Sequence, residues 1–166
     1  AARAALADVF VDSGLTAPVV HAAAPTSNKS KPTMRVAVLT AYTSDYEIGC
    51  DICAPVNRRY AERHGYAFVE RIHPPWQRQI DSRHPSWNKV HLLCEILDGL
   101  LQQREGLPVP LDTTHLLWVD ADAVVLWHDK RVEELWARHC SEHCQLLIGE
   151  DVTPCCLVNA GVLCVR

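Results

Sequence analysis

The stretch 115-HLLWVDADAVVL-126 places two carboxylates, Asp120 and Asp122, between two apolar runs. An apolar run bounded by polar residues is typical of a strand that is buried on both faces of a sheet. Because a buried carboxylate is costly unless its charge is compensated, we expect the strand to end at Asp120, with both carboxylates at the sheet rim. Carboxylate oxygens suit Mg²⁺ or Mn²⁺, which commonly bridge to substrate phosphates. A solvated turn after a core strand is the alternative, and the tripeptide alone does not decide between them.

Composition and charge describe one ordinary globular domain. The chain has 166 residues, of which 48% are hydrophobic and 22% are charged, and this is enough to bury a core. The net charge of -4 argues against a nucleic-acid partner, which would usually require a basic patch. No uninterrupted apolar stretch approaches the roughly 20 residues of a transmembrane helix.

Residues 1–33 are expected to form a flexible linker or stem. Small and polar residues dominate positions 17–33, and three prolines there interrupt any helix. Charged residues at positions 3, 8 and 12 make a poor signal peptide. The sequence begins without Met, so an anchor could precede it. The folded part, residues 34–166, stops directly after an apolar run, which indicates a domain that is truncated at its C-terminus.

Strands and helices alternate along the folded part. A β-rich run at 35–42 precedes a helical pattern that starts at Ile48 or Cys53 and ends at His64, with Pro55 in its first turn and Gly65 as its stop. A second strand is predicted at 66–72. Strand, helix and strand in this order predict a parallel crossover and the α/β class.

The second half continues this alternation. Ser86 is predicted to cap a helix, and a further helix is expected at 132–139, a strand at 146–148 and a closing apolar run at 157–166. The face predicted for the first of these helices consists of Trp87, Val90, Leu93, Cys94, Leu97, Leu100 and Leu101.

Ligands of open α/β sheets bind beyond the carboxyl ends of the strands. Asp120 and Asp122 are predicted there, and so is the loop 40–45 that follows the first strand. Lys89 lies in the first turn of its helix, where an ammonium can reach phosphate oxygens at the sheet rim. The alternative for Lys89 is an ordinary solvated lysine. The convergence of these segments favours a ligand site over a solvated turn.

Eight cysteines leave other readings open. An even count suits disulfides in a lumenal or extracellular setting, which the sequence favours only slightly over the cytosol. The pair Cys50 and Cys53 fits either a structural role or thioredoxin-like redox chemistry. The repeated His-Cys pairs at 139–140 and 143–144 would share one face of a helix and could bind Zn²⁺ or simply pack. Partners for the adjacent cysteines at 155 and 156 cannot be assigned.

Taken together, the motifs resemble a nucleotide-sugar glycosyltransferase of the GT-A fold, most like glycosyltransferase family 34, which contains galactosyl- and xylosyltransferases. The resemblance covers roughly residues 34–166, and its motifs occur in the family's order. They are Val36 to Tyr42, Asn57 with Tyr60-Ala61, His64-Gly65-Tyr66, Trp87-Asn88-Lys89, Trp118 to Ala123, and Asn159-Ala160-Gly161 leading to Arg166.

The resemblance implies a Rossmann-like, mostly parallel sheet flanked by helices, of which this chain is the N-terminal donor-binding part. It implies transfer of a sugar, with retention, from a nucleotide diphosphate donor such as a UDP-sugar to a glycan hydroxyl. Mn²⁺ or Mg²⁺ would be required. The resemblance also implies a type II membrane protein of the Golgi or another secretory-pathway lumen, whose anchor is not in this sequence.

By position, the resemblance assigns roles to eight residues. Asp120 and Asp122 would hold the ion, and Asp120 would also contact the donor. Thr40, Ala41 and Tyr42 would border the nucleotide, Lys89 would lie near the donor, and Asn159 with Gly161 would border the sugar. No catalytic residue is assigned, and the third metal ligand and acceptor pocket are expected beyond Arg166. A non-catalytic fold remnant or interaction module is the main alternative, and a thioredoxin-like protein is the third.

Overall fold

The computed structural model describes residues 33–74, 85–151 and 158–166. Almost all of the predicted linker and the cysteines at 155 and 156 lie outside these ranges. The described elements are β1 (Val36–Thr43), a π-helical turn (Ile48–Cys53), α1 (Ala54–His64), β2 (Ala67–His73), a 3₁₀ turn (Pro85–Trp87), α2 (Asn88–Leu101), β3 (His115–Val119), α3 (Val132–His139), β4 (Leu146–Glu150) and β5 (Val158–Val165). None of the helices within these ranges is long and apolar enough to cross a membrane.

The strands form one mixed, mostly parallel sheet in the order β2-β1-β3-β5-β4. β1 pairs in parallel with both β2 and β3, so the predicted crossover through α1 is confirmed. β5 pairs antiparallel with β3 on one side and with β4 on the other. β5 therefore enters the sheet at the edge where β1 and β3 leave it, and this reversal brings the last segment of the chain to the predicted site.

The core occupies both faces of the sheet, which confirms the α/β class. Alternate residues of β3 point to opposite faces. Leu117 and Val119 pack with residues of α1 and α3, whereas Leu116 and Trp118 pack with residues of α2. All five residues of β3 are buried. The strand ends at Val119, directly before Asp120, as the apolar run predicts.

The ends of α1 also agree with the sequence. Pro55 lies in its first turn, and Gly65 ends it with φ +69° in the left-handed region, where a residue without Cβ is unstrained. The stretch 48–53, where the sequence left the start of the helix open between Ile48 and Cys53, is a six-residue π-helical turn joined to the start of α1. Such turns are rare and are frequent at functional sites.

The predictions for α2 were wrong in two respects. The residue before the helix is Trp87, which makes no side-chain cap, so Ser86 is not the N-cap. The buried residues are Leu92, Leu93, Ile96 and Gly99, while Trp87, Val90, Cys94 and Leu101 of the predicted face are exposed. Since the apolar residues of α2 extend over about half of its circumference, periodicity alone does not determine which part of that arc meets the sheet.

The shared helix face predicted for the two His-Cys pairs is also wrong. α3 ends at His139, so Cys140, His143 and Cys144 lie in the following loop. The described residues contain no group of three or more His, Cys, Asp or Glu side chains arranged to hold a metal ion. Burial raises the pKa of Cys140 and that of Cys164 to about 12, as expected of packed thiols.

His115 begins β3, at the end of the strand away from the aspartates, and it is buried with an exposed fraction of only 7%. Its Nδ1 lies 2.9 Å from Thr114 Oγ1, its ring meets the edge of Trp136, and its Nε2 has no partner among the described residues. Burial, helped by the positive charge of Arg166, lowers the pKa of His115 to about 4. The folded protein therefore holds this imidazole neutral.

We expect the protein to lose stability as the pH falls below about 6.5, because His115 binds a proton in the unfolded chain at that pH but stays neutral in the folded protein. Between pH 7.5 and 5.0 the loss from this residue is about 2 kcal/mol. Urea unfolding at both pH values measures it. His115→Phe should flatten the difference by that amount, while the exposed control His139→Phe should not. Equal pH dependence in the wild type and His115→Phe would contradict the assignment.

Candidate functional site

A cleft of about 540 Å³ opens at the carboxyl edge of β1 and β3. The sheet topology places it there, because parallel strands end at one rim and open α/β sheets bind ligands at that rim. Its walls come from the end of β1 and the loop after it, the start of α2, the end of β3 and the Asp120–Asp122 turn. The lining residues are Ala41, Tyr42, Thr43, Asp45, Tyr46, His73, Ser86, Asn88, Lys89, Trp118, Asp120, Ala121 and Asp122.

Asp120 is held firmly. Its backbone N donates to the carbonyl of Gly161 at 2.7 Å, which extends the pairing of β3 with β5, and its carbonyl accepts from Ala123 N at 3.0 Å to close the turn. Its Oδ1 accepts from Trp118 Nε1 at 2.5 Å and lies 2.7 Å from Lys89 Nζ. One carboxylate oxygen is thus occupied twice, while Oδ2 takes part in neither contact.

Asp122 differs from Asp120 in its exposure and in its contacts. It is exposed, and it makes no hydrogen bond or ion pair with another residue in the described part of the chain. Its charge acts on Tyr46, since burial first and Asp122 second raise the pKa of the Tyr46 hydroxyl. Asp122 therefore presents a whole carboxylate to the cleft.

Lys89 is a structural part of the site and not the solvated lysine of the alternative reading. Its side chain is only 12% exposed, and its ammonium donates to Ala160 O at 2.8 Å as well as pairing with Asp120. The ammonium also lies 5.8 Å from the centre of the Trp118 ring. Lys89 thus joins the start of α2 to the ends of β3 and β5, with its positive charge on the cleft wall.

The loop after β1 closes tightly over the turn. A Cβ on Gly49 would lie 2.9 Å from the Tyr46 ring and 3.3 Å from that of Tyr42, with Ala121 O at 3.4 Å. The glycine therefore lets the π-helical turn lie directly against the two tyrosine rings, while the distance to Ala121 O is an ordinary contact. The Tyr42 hydroxyl donates to Glu70 on the neighbouring strand, so the ring is also held from behind.

The structure brings together most of the predicted site residues. Ala41, Tyr42, Lys89, Asp120 and Asp122 line the cleft.

Three predicted residues lie near the cleft without lining it. Thr40 is buried inside β1, because that strand continues to Thr43 and the rim begins one residue later than expected. Gly161 contributes the backbone carbonyl that fixes Asp120, and Asn159 Oδ1 accepts from Gly161 N at 2.8 Å.

Trp118 and Tyr46 are two of the lining residues that the sequence did not assign to the site. Trp118 donates to Asp120, which directly follows β3, and the signal for this contact was that residues i and i+2 of an extended chain share a face. Tyr46 lies in a loop with no periodicity, so only the fold brings it to the cleft.

At Cys53, burial first and Asp122 second raise the pKa of the thiol. In a thioredoxin-like pair the attacking thiolate, with its lowered pKa, is the first cysteine, which here is Cys50. The side chain of Cys50 lies outside the described residues, so the pairing of the two cysteines is not resolved.

The sequence matches no protein-family model and no curated protein. The fold resembles the crystal structure of a glycosyltransferase involved in the glycosylation of the major capsid of PBCV-1, with a TM-score of 0.54 and 19% sequence identity. The likeness covers 80% of this chain and 59% of that one, so the chain spans less than two thirds of the neighbour's length. At this identity the likeness shows a glycosyltransferase-like fold, and it does not point to family 34.

Proposed function

We propose that this chain is the donor-binding part of a divalent-metal-dependent glycosyltransferase, which moves a sugar from a nucleotide diphosphate donor to a glycan hydroxyl. One observation carries the proposal. Asp122, whose carboxylate has no hydrogen-bond or ion-pair partner among the described residues, and Asp120, which is anchored, share a cleft of about 540 Å³ at the ligand-binding edge of a glycosyltransferase-like sheet. A solvated turn would not require the anchoring of Asp120 by a tryptophan, a lysine and the backbone of β5.

The donor set fits Mg²⁺ or Mn²⁺. Asp122 offers both carboxylate oxygens and Asp120 offers Oδ2, all hard ligands on one short turn. The described residues supply no cluster of three ligands. Mg²⁺-like ions commonly bind through one or two carboxylates and complete their coordination with water and substrate phosphates.

The cleft wall has the features that a nucleotide diphosphate needs. Lys89 supplies a fixed positive charge, and Asn88 and Lys89 place the N-terminal end of α2, where the helix dipole is positive, at the same wall. The rings of Tyr42 and Tyr46 provide aromatic surface for the base.

The chemistry follows from charge. The diphosphate leaving group gains negative charge as the glycosidic bond breaks, and a bound divalent ion would stabilise that charge as a Lewis acid. Lys89 adds a second positive charge without any proton transfer, so the leaving group needs no general acid.

The resemblance of the sequence motifs to nucleotide-sugar glycosyltransferases supports the finer features of the proposal. It favours UDP as the nucleotide, retention of anomeric configuration, a glycan acceptor bound by a part of the enzyme outside this chain, and placement in a Golgi lumen through a membrane anchor. Retention is supported by resemblance alone, since no side chain of the described cleft is assigned as a nucleophile.

Titration calorimetry with UDP in Mn²⁺ and in EDTA tests the proposal. We expect Mn²⁺ to tighten UDP binding at least about tenfold, because the ion joins the aspartates to the diphosphate. UMP, which lacks the second phosphate, is the matched control and should gain less than UDP. Equal UDP affinity in Mn²⁺ and EDTA, or no binding at all, would favour the non-catalytic module instead.

A further inference from the structure

The segment 123–131, which follows the Asp120–Asp122 turn, contains no helix or strand. Its backbone polar groups must therefore find partners elsewhere. One face of α1 supplies them through the side chains of Asn57, Tyr60 and His64, spaced three and four residues apart. The Tyr60 hydroxyl donates to Lys130 O at 3.0 Å, and His64 Nε2 lies 2.9 Å from His128 O.

Asn57 makes the contacts nearest to the aspartates. Its Nδ2 donates to Ala123 O at 2.8 Å, and its Oδ1 accepts from Val125 N at 2.9 Å. The Asn57 side chain is 1% exposed, so its carboxamide is shielded from water. The carboxamide thus acts like a neighbouring strand for the backbone on either side of residue 124.

These bonds connect directly to the turn. Ala123 N closes the turn by donating to Asp120 O, while the carbonyl of the same residue is held by Asn57. Asp122 lies between the two fixed points. Its side chain makes no hydrogen bond or ion pair among the described residues that would place it, so its position depends on the backbone alone.

We infer that Asn57 is a positioning residue for the Asp120–Asp122 turn, setting the Asp122 carboxylate relative to Asp120 so that one divalent ion can bind both. Asparagine suits the role because one side chain both donates and accepts. An aspartate would place an acceptor against Ala123 O and a negative charge near Asp122. The ion itself rests on the proposed function, whereas the control of turn geometry does not.

The test separates positioning from ordinary stabilisation. Asn57→Asp keeps the acceptor for Val125 N and loses the donor to Ala123 O. Tyr60→Phe is the matched control, because it removes one hydrogen bond between the same helix and the same segment, but far from the turn. Asn57→Ser serves as an uncharged second variant should Asn57→Asp fail to fold.

Two measurements are made on the 166-residue chain. The first is Mn²⁺ affinity, from the paramagnetic resonance signal of the free ion. We expect Asn57→Asp or Asn57→Ser to weaken it at least tenfold and Tyr60→Phe to change it less than twofold. The second is the NMR resonance of the Trp118 indole N–H, which donates to Asp120. It should shift in the Asn57 variants and stay in place in Tyr60→Phe.

The two readouts distinguish the possible failures. If the wild type binds no Mn²⁺ but the indole resonance still moves only in the Asn57 variants, positioning stands and the proposed metal function is overturned. If the wild type binds Mn²⁺ and the Asn57 variants match Tyr60→Phe in both readouts, Asn57 is merely structural and the inference is overturned.

Discussion

Asp122→Asn is expected to abolish the Mn²⁺-dependent part of UDP binding while leaving the fold intact. Asp122 is exposed and contacts no described residue through a hydrogen bond or ion pair, so replacing it should change the free energy of unfolding by less than about 0.5 kcal/mol. A neutral amide oxygen is a much poorer ligand for a hard divalent ion. We expect Mn²⁺ affinity to fall about 100-fold, or ~2.7 kcal/mol.

The matched control is Asp129→Asn. Asp129 is another exposed aspartate, and its ion pair is with neighbouring Lys130 at 3.8 Å, away from the cleft. Calorimetry with Mn²⁺ and UDP should show wild-type binding for this variant. If both variants bind Mn²⁺ equally well, the turn is a solvated loop and the metal site does not exist.

Lys89→Met is expected to weaken UDP binding by roughly 10- to 100-fold in the presence of Mn²⁺. The substitution keeps most of the apolar stem and removes the positive charge from the cleft wall. It also leaves Asp120 with one of its two donors and Ala160 O without its lysine, which should cost about 2 kcal/mol of folding stability. Since a competing cation is gone, Mn²⁺ affinity without nucleotide should not fall.

The two variants should therefore differ in which affinity they lower. Asp122→Asn should weaken binding of the ion itself, whereas Lys89→Met should weaken binding of the diphosphate and leave Mn²⁺ affinity unchanged or higher. Lys130→Met is the control, since the Lys130 ammonium is exposed and pairs only with Asp129 among the described residues. Calorimetry at a temperature well below the unfolding midpoint keeps stability out of the comparison. Wild-type UDP affinity in Lys89→Met would show that the ammonium is purely structural.

The secondary structure was largely predictable because its signals are local. The apolar run before Asp120 identified β3 and its end, and Pro55 with Gly65 bounded α1. Prediction failed where the apolar surface of an element is wide. The apolar residues of α2 extend over about half of the helix, and packing against β1 and β3 buries Leu92 and Ile96 while Val90 stays exposed.

The position of the aspartates was predictable, but the contacts that connect them to the rest of the fold were not. Asp120 and Asp122 were expected at the sheet rim because a charged carboxylate is costly inside a buried strand, and both line the cleft there. The reversal of β5 was not foreseen, although it carries Gly161 to Asp120 and Ala160 to Lys89. The direction of a strand within a sheet depends on how it pairs with its neighbours, and the apolar pattern of its own sequence would fit either direction.

The sequence by itself determined that an α/β domain would present two aspartates at the end of a buried strand, since hydrophobic periodicity and the cost of burying charge are local properties. Only the tertiary structure decided how the aspartates differ. Lys89 and Trp118 both bind the Asp120 carboxylate, whereas the Asp122 carboxylate has no hydrogen-bond or ion-pair partner among the described residues. Asn57 binds the backbone of Ala123, 66 residues away in the sequence. Those contacts depend on strand register and helix packing, which join segments whose spacing along the chain carries no signal of their proximity.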